Sequence, residues 1–228
     1  MTEANPIGTD GIRVVRFKQV PAEDADAASI GTEGIRAVKF RQVPAEDTDA
    51  ALRIIRDAQA MMKELGRKQW QDGYPAGPDI ERDIARGYAY GLYSPEGSLI
   101  AYGAVVFDGE PTYRIIRGEW LCEGDYVVLH RLAVAKDMRH RGLARQFFAK
   151  VEEMAVARGC ASFRVDTNYD NTCMLALLPE LGFTCCGEIT LASGDSRKAF
   201  EKPLRDLEKP LRDLEKPNHQ NNNHNEIV

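Results

Sequence analysis

The residues with the clearest chemical potential lie between positions 129 and 155, LHRLAVAKDMRHRGLARQFFAKVEEMA. A β-prone run ends there, a short loop carries Arg139, His140 and Arg141, and Gly142 opens an amphipathic helix. The first turn of a helix leaves backbone N–H groups without partners and with a partial positive charge. Gly142 has no Cβ to hold an anion away from that backbone. Ala144 keeps the next turn small, and Lys136, Arg139, Arg141 and Arg145 add positive charge. This arrangement suits a phosphate group; a capped helix with a solvated basic end is the plainer alternative. Neither G-x-x-x-x-G-K-[ST] nor G-x-G-x-x-G occurs, which excludes a Walker-type loop and a dinucleotide fingerprint.

The elements that must position this loop follow from periodicity. Ile35–Val43 reads as a strand and residues 46–65 as a helix, with Leu52, Ile55, Ala58, Met62 and Leu65 on one apolar face and Gly66 as a stop. The loop KQWQDGYPAG (68–77) precedes a short helix near 78–86. Tyr88–Tyr93 and Leu99–Phe107 read as strands around SPEGS, and residues 108–125 as a long aromatic-bearing connection. After the strand Tyr126–Ala135 comes the clearest helix, with Leu143, Phe147, Phe148, Val151, Met154 and Ala155 inward and Gly159 ending it. Ala161–Thr167, Phe183–Leu191 and Arg197–Lys202 are strands, and Asn171–Leu181 is a helix. A strand–helix–strand unit at 126–167 within such alternation implies an α/β (α+β) sheet with a parallel or mixed centre.

The chain ends behave differently. Residues 8–30 recur with mostly identical residues as 31–53, and EKPLRDL at 201–207 recurs at 208–214. Two unrelated duplications at opposite ends do not make a solenoid. Only the second N-terminal copy runs into the helix, so residues 1–30 are expected to be a loose extension. Residues 31–203 form the domain, and 204–228 a tail with too little apolar surface to offset its ordering entropy. With 228 residues, 30 Lys+Arg against 35 Asp+Glu and a net charge of −5, the chain is too acidic overall for general nucleic-acid binding. It shows no membrane-length apolar run and no secretory signal. Five scattered cysteines without C-x-x-C pairing argue against a zinc site and for reduced thiols in a cytoplasmic protein, and no metal ligands are assigned.

Arg139-His140-Arg141-Gly142-Leu143-Ala144 matches [QR]-x-x-G-x-[GA] and follows the strand Leu132-Ala133-Val134, while Asn171 begins a helix ending in Leu181-Gly182-Phe183. In these two segments, in this order and spacing, residues 35–203 resemble the GNAT superfamily of N-acetyltransferases. The resemblance implies a mixed central sheet of about six to seven strands, flanked by helices, whose two central parallel strands splay apart. It implies that acetyl-CoA binds as co-substrate: Leu132, Ala133 and Val134 along the pantetheine arm, Arg139, His140, Arg141, Gly142, Leu143, Ala144 and Arg145 around the pyrophosphate, and Asn171 near the arm. A primary amine of a small molecule or peptide then attacks the thioester directly. A homodimer would follow from family habit alone, and a catalytically silent acyl-CoA-binding module is the competing reading.

Such a transfer needs a base for the amine, donors for the oxyanion and a proton for the departing thiolate. His130, on the central strand and able to titrate near neutrality, is the first candidate base; a structural histidine is the alternative. Glu119 and Asp166 are weaker candidates acting through water. Many family members carry a Tyr where this chain has Leu178, so Tyr169 or Cys173 would have to serve as the acid, if one is needed. Trp70, Tyr74, Tyr113 and Trp120 occupy the segments that wall the acceptor pocket in the family. Aromatic walls with a carboxylate suit a small cationic amine, while Trp70 and Trp120 could equally cover the core.

Overall fold

A computed structural model describes residues 38–204. The expectations for residues 1–30, and for the tail beyond 204, lie outside the described residues. Eight strands build one open mixed sheet: β1 (Lys39–Gln42), β2 (Ala89–Tyr93), β3 (Leu99–Val106), β4 (Ile116–Gly118), β5 (Tyr126–Val134), β6 (Ser162–Thr167), β7 (Thr184–Thr190) and β8 (Ser196–Pro203). Their spatial order is β1-β2-β3-β5-β6-β8-β7-β4, and only β5 and β6 run parallel. The expected six to seven strands become eight because the connection 108–125 contributes β4, a three-residue edge strand on β7, preceded by a 3₁₀ turn at Pro111–Arg114. So short an element has too little pattern to be read from sequence.

Helices cover both faces. On one, α1 (Thr48–Glu64) and α2 (Gly77–Ala85) pack Ala51, Ile54, Ile55, Ala58 and Ile80 on Ala89, Tyr102 and Ala133. Leu65 was expected on that apolar face but lies 56% exposed, because the helix ends at Glu64 and Leu65 has already left its period. On the other face, α3 (Leu143–Ala157) and α4 (Thr172–Glu180) close over Ala101, Val127, Phe163 and Phe200, with Leu143, Phe147, Phe148, Val151 and Ala155 buried. Gly103 lets α3 sit this close: a Cβ there would meet the Phe147 ring at 2.8 Å.

Two irregularities of β5 matter for function. First, β5 and β6 pair only at Tyr126–Ser162, Val127–Phe163 and Val128–Arg164, although both strands continue. Beyond Val128 they part, and the β6-facing main chain of β5 loses its strand neighbour. Second, the β3–β5 register shifts between Tyr102 and Ala104, and Arg131 adopts φ 57°. Such a bulge inserts one residue and resets the in–out alternation. His130, paired with Ala104, and its neighbour Arg131 therefore both serve the α1/α2 side of the sheet.

Candidate active site

Where β5 and β6 part, a cleft of about 630 Å³ passes through the sheet. Its lining on the α3/α4 side includes Leu132, Phe148, Val165, Thr167, Asn171 and Met174; on the other side it includes His130, Arg131, Asp166, Glu110 and Trp70. The splay makes this gap, since two parallel strands in register leave no room for a ligand between them.

His130 stands at the fork. Its Nε2 lies 3.1 Å from Glu110 Oε2, and its Nδ1 lies 3.8 Å from Asp166 Oδ1. Glu110 is held from the far side as well: it caps the turn at Pro111–Arg114, accepting from Thr112 N at 3.1 Å and Thr112 Oγ1 at 2.9 Å. The hydrogen bond from His130, followed by those from Thr112, pulls the Glu110 carboxyl down to about 2 against burial. Glu110 thus holds the Nε2 edge of the ring, and the Nδ1 edge faces Asp166 and the cleft. The Tyr113 hydroxyl donates to Asp166 Oδ1 at 2.7 Å, and burial with the Asp166 charge pushes that phenol far above its ordinary range. Tyr113 was expected in the acceptor wall; it is fully buried behind it and holds Asp166 instead.

Arg131 organises the opposite wall. Its Nε and Nη2 donate to the buried Asp83 of α2 at 2.8 and 2.5 Å, its Nη1 donates to the Tyr74 hydroxyl, and Tyr102 donates to Asp83 at 2.7 Å. The Asp83 and Tyr74 contacts raise the Arg131 guanidinium above its ordinary range despite burial, and it stays charged. Tyr74 and Trp70 line the cleft. Trp120, Glu119 and Tyr169 do not. Trp120 lies under the Arg164 guanidinium, 4.3 Å from its ring, and donates Nε1 to Tyr113 O at 2.9 Å, a packing role. Glu119 is exposed, with its N–H tied to Cys186 O. Tyr169 is 42% exposed with Lys198 5.6 Å from its ring. Leu178 is fully buried in the core, and Cys173 lies exposed against Arg67, away from the cleft.

The loop before α3 bounds a second hollow, about 200 Å³, lined by Val134, Arg139, His140, Gly142, Ala144 and Arg145 among others. Gly142 has φ 75°, no side chain caps the helix, and Gln146 is the first residue to bond back, to Gly142 O. The N–H groups of Leu143, Ala144 and Arg145 therefore start the helix uncapped. A Cβ on Gly142 would meet nothing within 4 Å, so the space beside that residue is open. The Leu143 side chain is buried in the core, and Ala133 packs under α1; each can offer a ligand only its backbone. Arg141 and His140 are exposed, and Arg145 pairs with Glu180 of α4. Arg139 turns back instead, donating to Val134 O at 3.2 Å, and one of its buried terminal nitrogens has no partner. Asn171 caps α4 through Met174 N and donates to Gln69 Oε1 at 3.0 Å, which ties α4 to the loop 68–77.

Sequence reasoning missed Asp83, Glu110 and Arg131. An acidic residue followed by Pro111 is an N-cap signal that could have drawn attention to Glu110. Nothing local marks Arg131, whose role depends on a bulge.

An open sheet with a splayed parallel pair, and an uncapped glycine-led helix beside the gap, is an arrangement suited to an arm-like ligand with an anionic tail. The acetyltransferase (GNAT) family model matches residues 59–183. A GNAT-family acetyltransferase from Streptococcus agalactiae 2603 is 32% identical with a TM-score of 0.66, covering 74% of this chain and 96% of that one. Two more distant structures share the fold. The ribosomal-protein-S18-alanine N-acetyltransferase from Escherichia coli is 16% identical with a TM-score of 0.52, covering 77% of this chain and 99% of that one. The PaiA N-acetyltransferase from Thermoplasma acidophilum, solved with coenzyme A, is 12% identical with a TM-score of 0.54, covering 73% and 99%. No curated protein matches the chain. The chain belongs to the GNAT acetyltransferase family and is an acetyl-CoA-dependent N-acetyltransferase. No helix among the described residues is long and apolar enough to cross a membrane.

Proposed function

We propose that this enzyme acetylates a primary amine of a small molecule or peptide by direct attack, with His130 as the base. The observation that carries this reading is His130 at the strand fork, anchored through Nε2 by an ionised Glu110 and open through Nδ1 toward Asp166. Bound acetyl-CoA supplies an acyl carbonyl activated by a thiolate leaving group. The uncapped amides of Leu143, Ala144 and Arg145 and the exposed Arg141 suit its diphosphate, and the edge of β5 beyond Val128, which has no strand neighbour, suits its arm.

An acceptor amine entering from the Trp70–Tyr74 side reaches Asp166 and His130 together. Asp166 accepts a hydrogen bond from the amine while Nδ1 takes its proton as the nitrogen attacks. The positive charge that develops on the imidazole lies between two carboxylates, Glu110 and Asp166, which stabilise it. Main-chain N–H groups on the freed edge of β5 are the oxyanion donors. Among the described residues the cleft offers no buried side-chain acid near α4, where Leu178 is apolar core, and a thiolate leaves readily without one. His130→Gln is expected to lower kcat by about 10²- to 10⁴-fold with acetyl-CoA affinity retained, read by free-thiol release and by titration calorimetry. Wild-type turnover in that variant overturns His130 as the base.

A further inference from the structure

We infer that the acceptor carries an anionic group, a carboxylate in the first instance, and that Arg197 binds it; this rests on the amine-acceptor reading above. Of the four arginines that line the cleft, Arg82 and Arg131 have carboxylate partners among the described residues and Arg197 and Arg86 do not, and Asp72 and Asp195 line it as well. Arg82 pairs with Asp79, Arg131 with Asp83 and His130 with Glu110. Arg197 also lines the cleft, yet among the described residues it meets no carboxylate, and its hydrogen-bond partner is the backbone carbonyl of Ser196 at 3.2 Å.

The sheet register shows where Arg197 stands. On β6 and β8 the residues that face the His130 side are Arg164 and Asp166 on one strand, and Glu201, Ala199 and Arg197 on the other. Deep in the sheet, Arg164 is neutralised by Glu201 at 2.8 Å. At the open end, Asp166 lies opposite Ala199, and Arg197 follows two residues on, about 7 Å further along the strand at ~3.4 Å per residue. Its pairing partner Ile189 is buried on that same face. A half-buried arginine on a cleft wall with no counter-charge is costly to the free protein unless water or a ligand answers it. An arginine fork also matches a carboxylate in two parallel hydrogen bonds.

Asp166 and His130 therefore receive the amine, and Arg197 receives the anionic end of the same molecule a few bonds away. Arg86, on the rim beside Tyr88, adds positive potential without an ion pair among the described residues. The class that fits is an aminocarboxylate, a free amino acid or a compound built like one, rather than the simple cationic amine expected from aromatic walls alone.

The test uses the full chain with acetyl-CoA and matched acceptors: free amino acids, the same amino acids as carboxamides, and the corresponding aminophosphonates. The carboxamide has the less basic amine and more of it unprotonated at neutral pH, so a preference for the free acid must come from recognition of the anion. The expected result is at least a tenfold higher kcat/KM for the acid. That ratio falls about tenfold in Arg197→Gln, is partly restored in Arg197→Lys and inverts in Arg197→Glu, with thermal unfolding confirming that each variant is folded. Phosphonates favoured over carboxylates would keep the anionic subsite but overturn the carboxylate as its ligand. Equal rates on acid and carboxamide, or a ratio unmoved by Arg197→Gln, overturn the subsite while leaving amine acetylation standing. Acetyl-CoA binding without transfer to any amine overturns the acceptor reading itself, and this inference with it.

Discussion

Removing the Asp83 carboxylate is expected to destabilise the fold by about 4 kcal/mol. Asp83 is 3% exposed and accepts from Arg131 Nε at 2.8 Å, Arg131 Nη2 at 2.5 Å and Tyr102 OH at 2.7 Å. Asp83→Ala strands the Arg131 guanidinium, whose side chain is 14% exposed. Breaking a buried pair by deleting one partner costs about 3–5 kcal/mol. Tyr102 is fully buried and loses its acceptor as well, a further cost of roughly 1–3 kcal/mol. Against this, water admitted through the cleft and the Tyr74 hydroxyl can solvate part of the guanidinium, which brings the total to about 4 kcal/mol. Urea unfolding of the full chain, without ligand, measures it. The double variant Asp83→Ala/Arg131→Met removes the stranded charge, so it should be more stable than Asp83→Ala alone, with a coupling of roughly 1–3 kcal/mol. A loss below about 1 kcal/mol for Asp83→Ala, or strict additivity in the double variant, would refute the claim that this pair braces α2 against the β5 bulge.

Three further outcomes are expected. Glu110 has its carboxyl lowered from 4.5 to about 2 by His130, so the folded state holds fewer protons there than the unfolded one. The stabilisation it gives is whole above about pH 4.5, is lost as pH falls toward 2, and amounts to about 1–2 kcal/mol after allowance for partial exposure. In Glu110→Gln the acid limb of a stability–pH profile should flatten by that amount; an unchanged limb places the anchoring elsewhere. Gly142→Ala should lower stability by roughly 1–2 kcal/mol, through its left-handed φ of 75° rather than a clash. The same variant should weaken acetyl-CoA binding, and calorimetry showing full affinity would mean that no ligand approaches that backbone. Arg141→Glu, at an exposed position by the same loop, should weaken acetyl-CoA binding more at low salt than at high salt, because the effect is electrostatic; salt-independent affinity would argue against the phosphate placement.

Most of the fold was legible along the chain because its elements carry strong periods. The apolar face of α3 at Leu143, Phe147, Val151 and Ala155 and the β-prone run of β5 are both present as read. Leu65 failed because a helix end is not set by periodicity, and β4 failed because three residues paired to a distant strand leave no local trace. The aromatic residues show the same limit. Trp70 and Tyr74 line the cleft, whereas Trp120 and Tyr113 pack behind it, although each pair is one Trp and one Tyr in sequence.

What the sequence determined by itself is the set of local conformations: a glycine free to open α3 without a capping side chain, an apolar stripe to seat that helix, and a strand leading into it. These depend on neighbours within a turn or two, so residue type and spacing suffice. The tertiary structure alone decided which side chains meet. His130 joins Glu110 and Asp166 from 20 and 36 residues away, and Arg131 reaches Asp83 from 48, only because β5 bulges at Arg131 and separates from β6 beyond Val128. Those two departures from regular pairing are settled by the packing of the whole sheet, where no short stretch of sequence can record them.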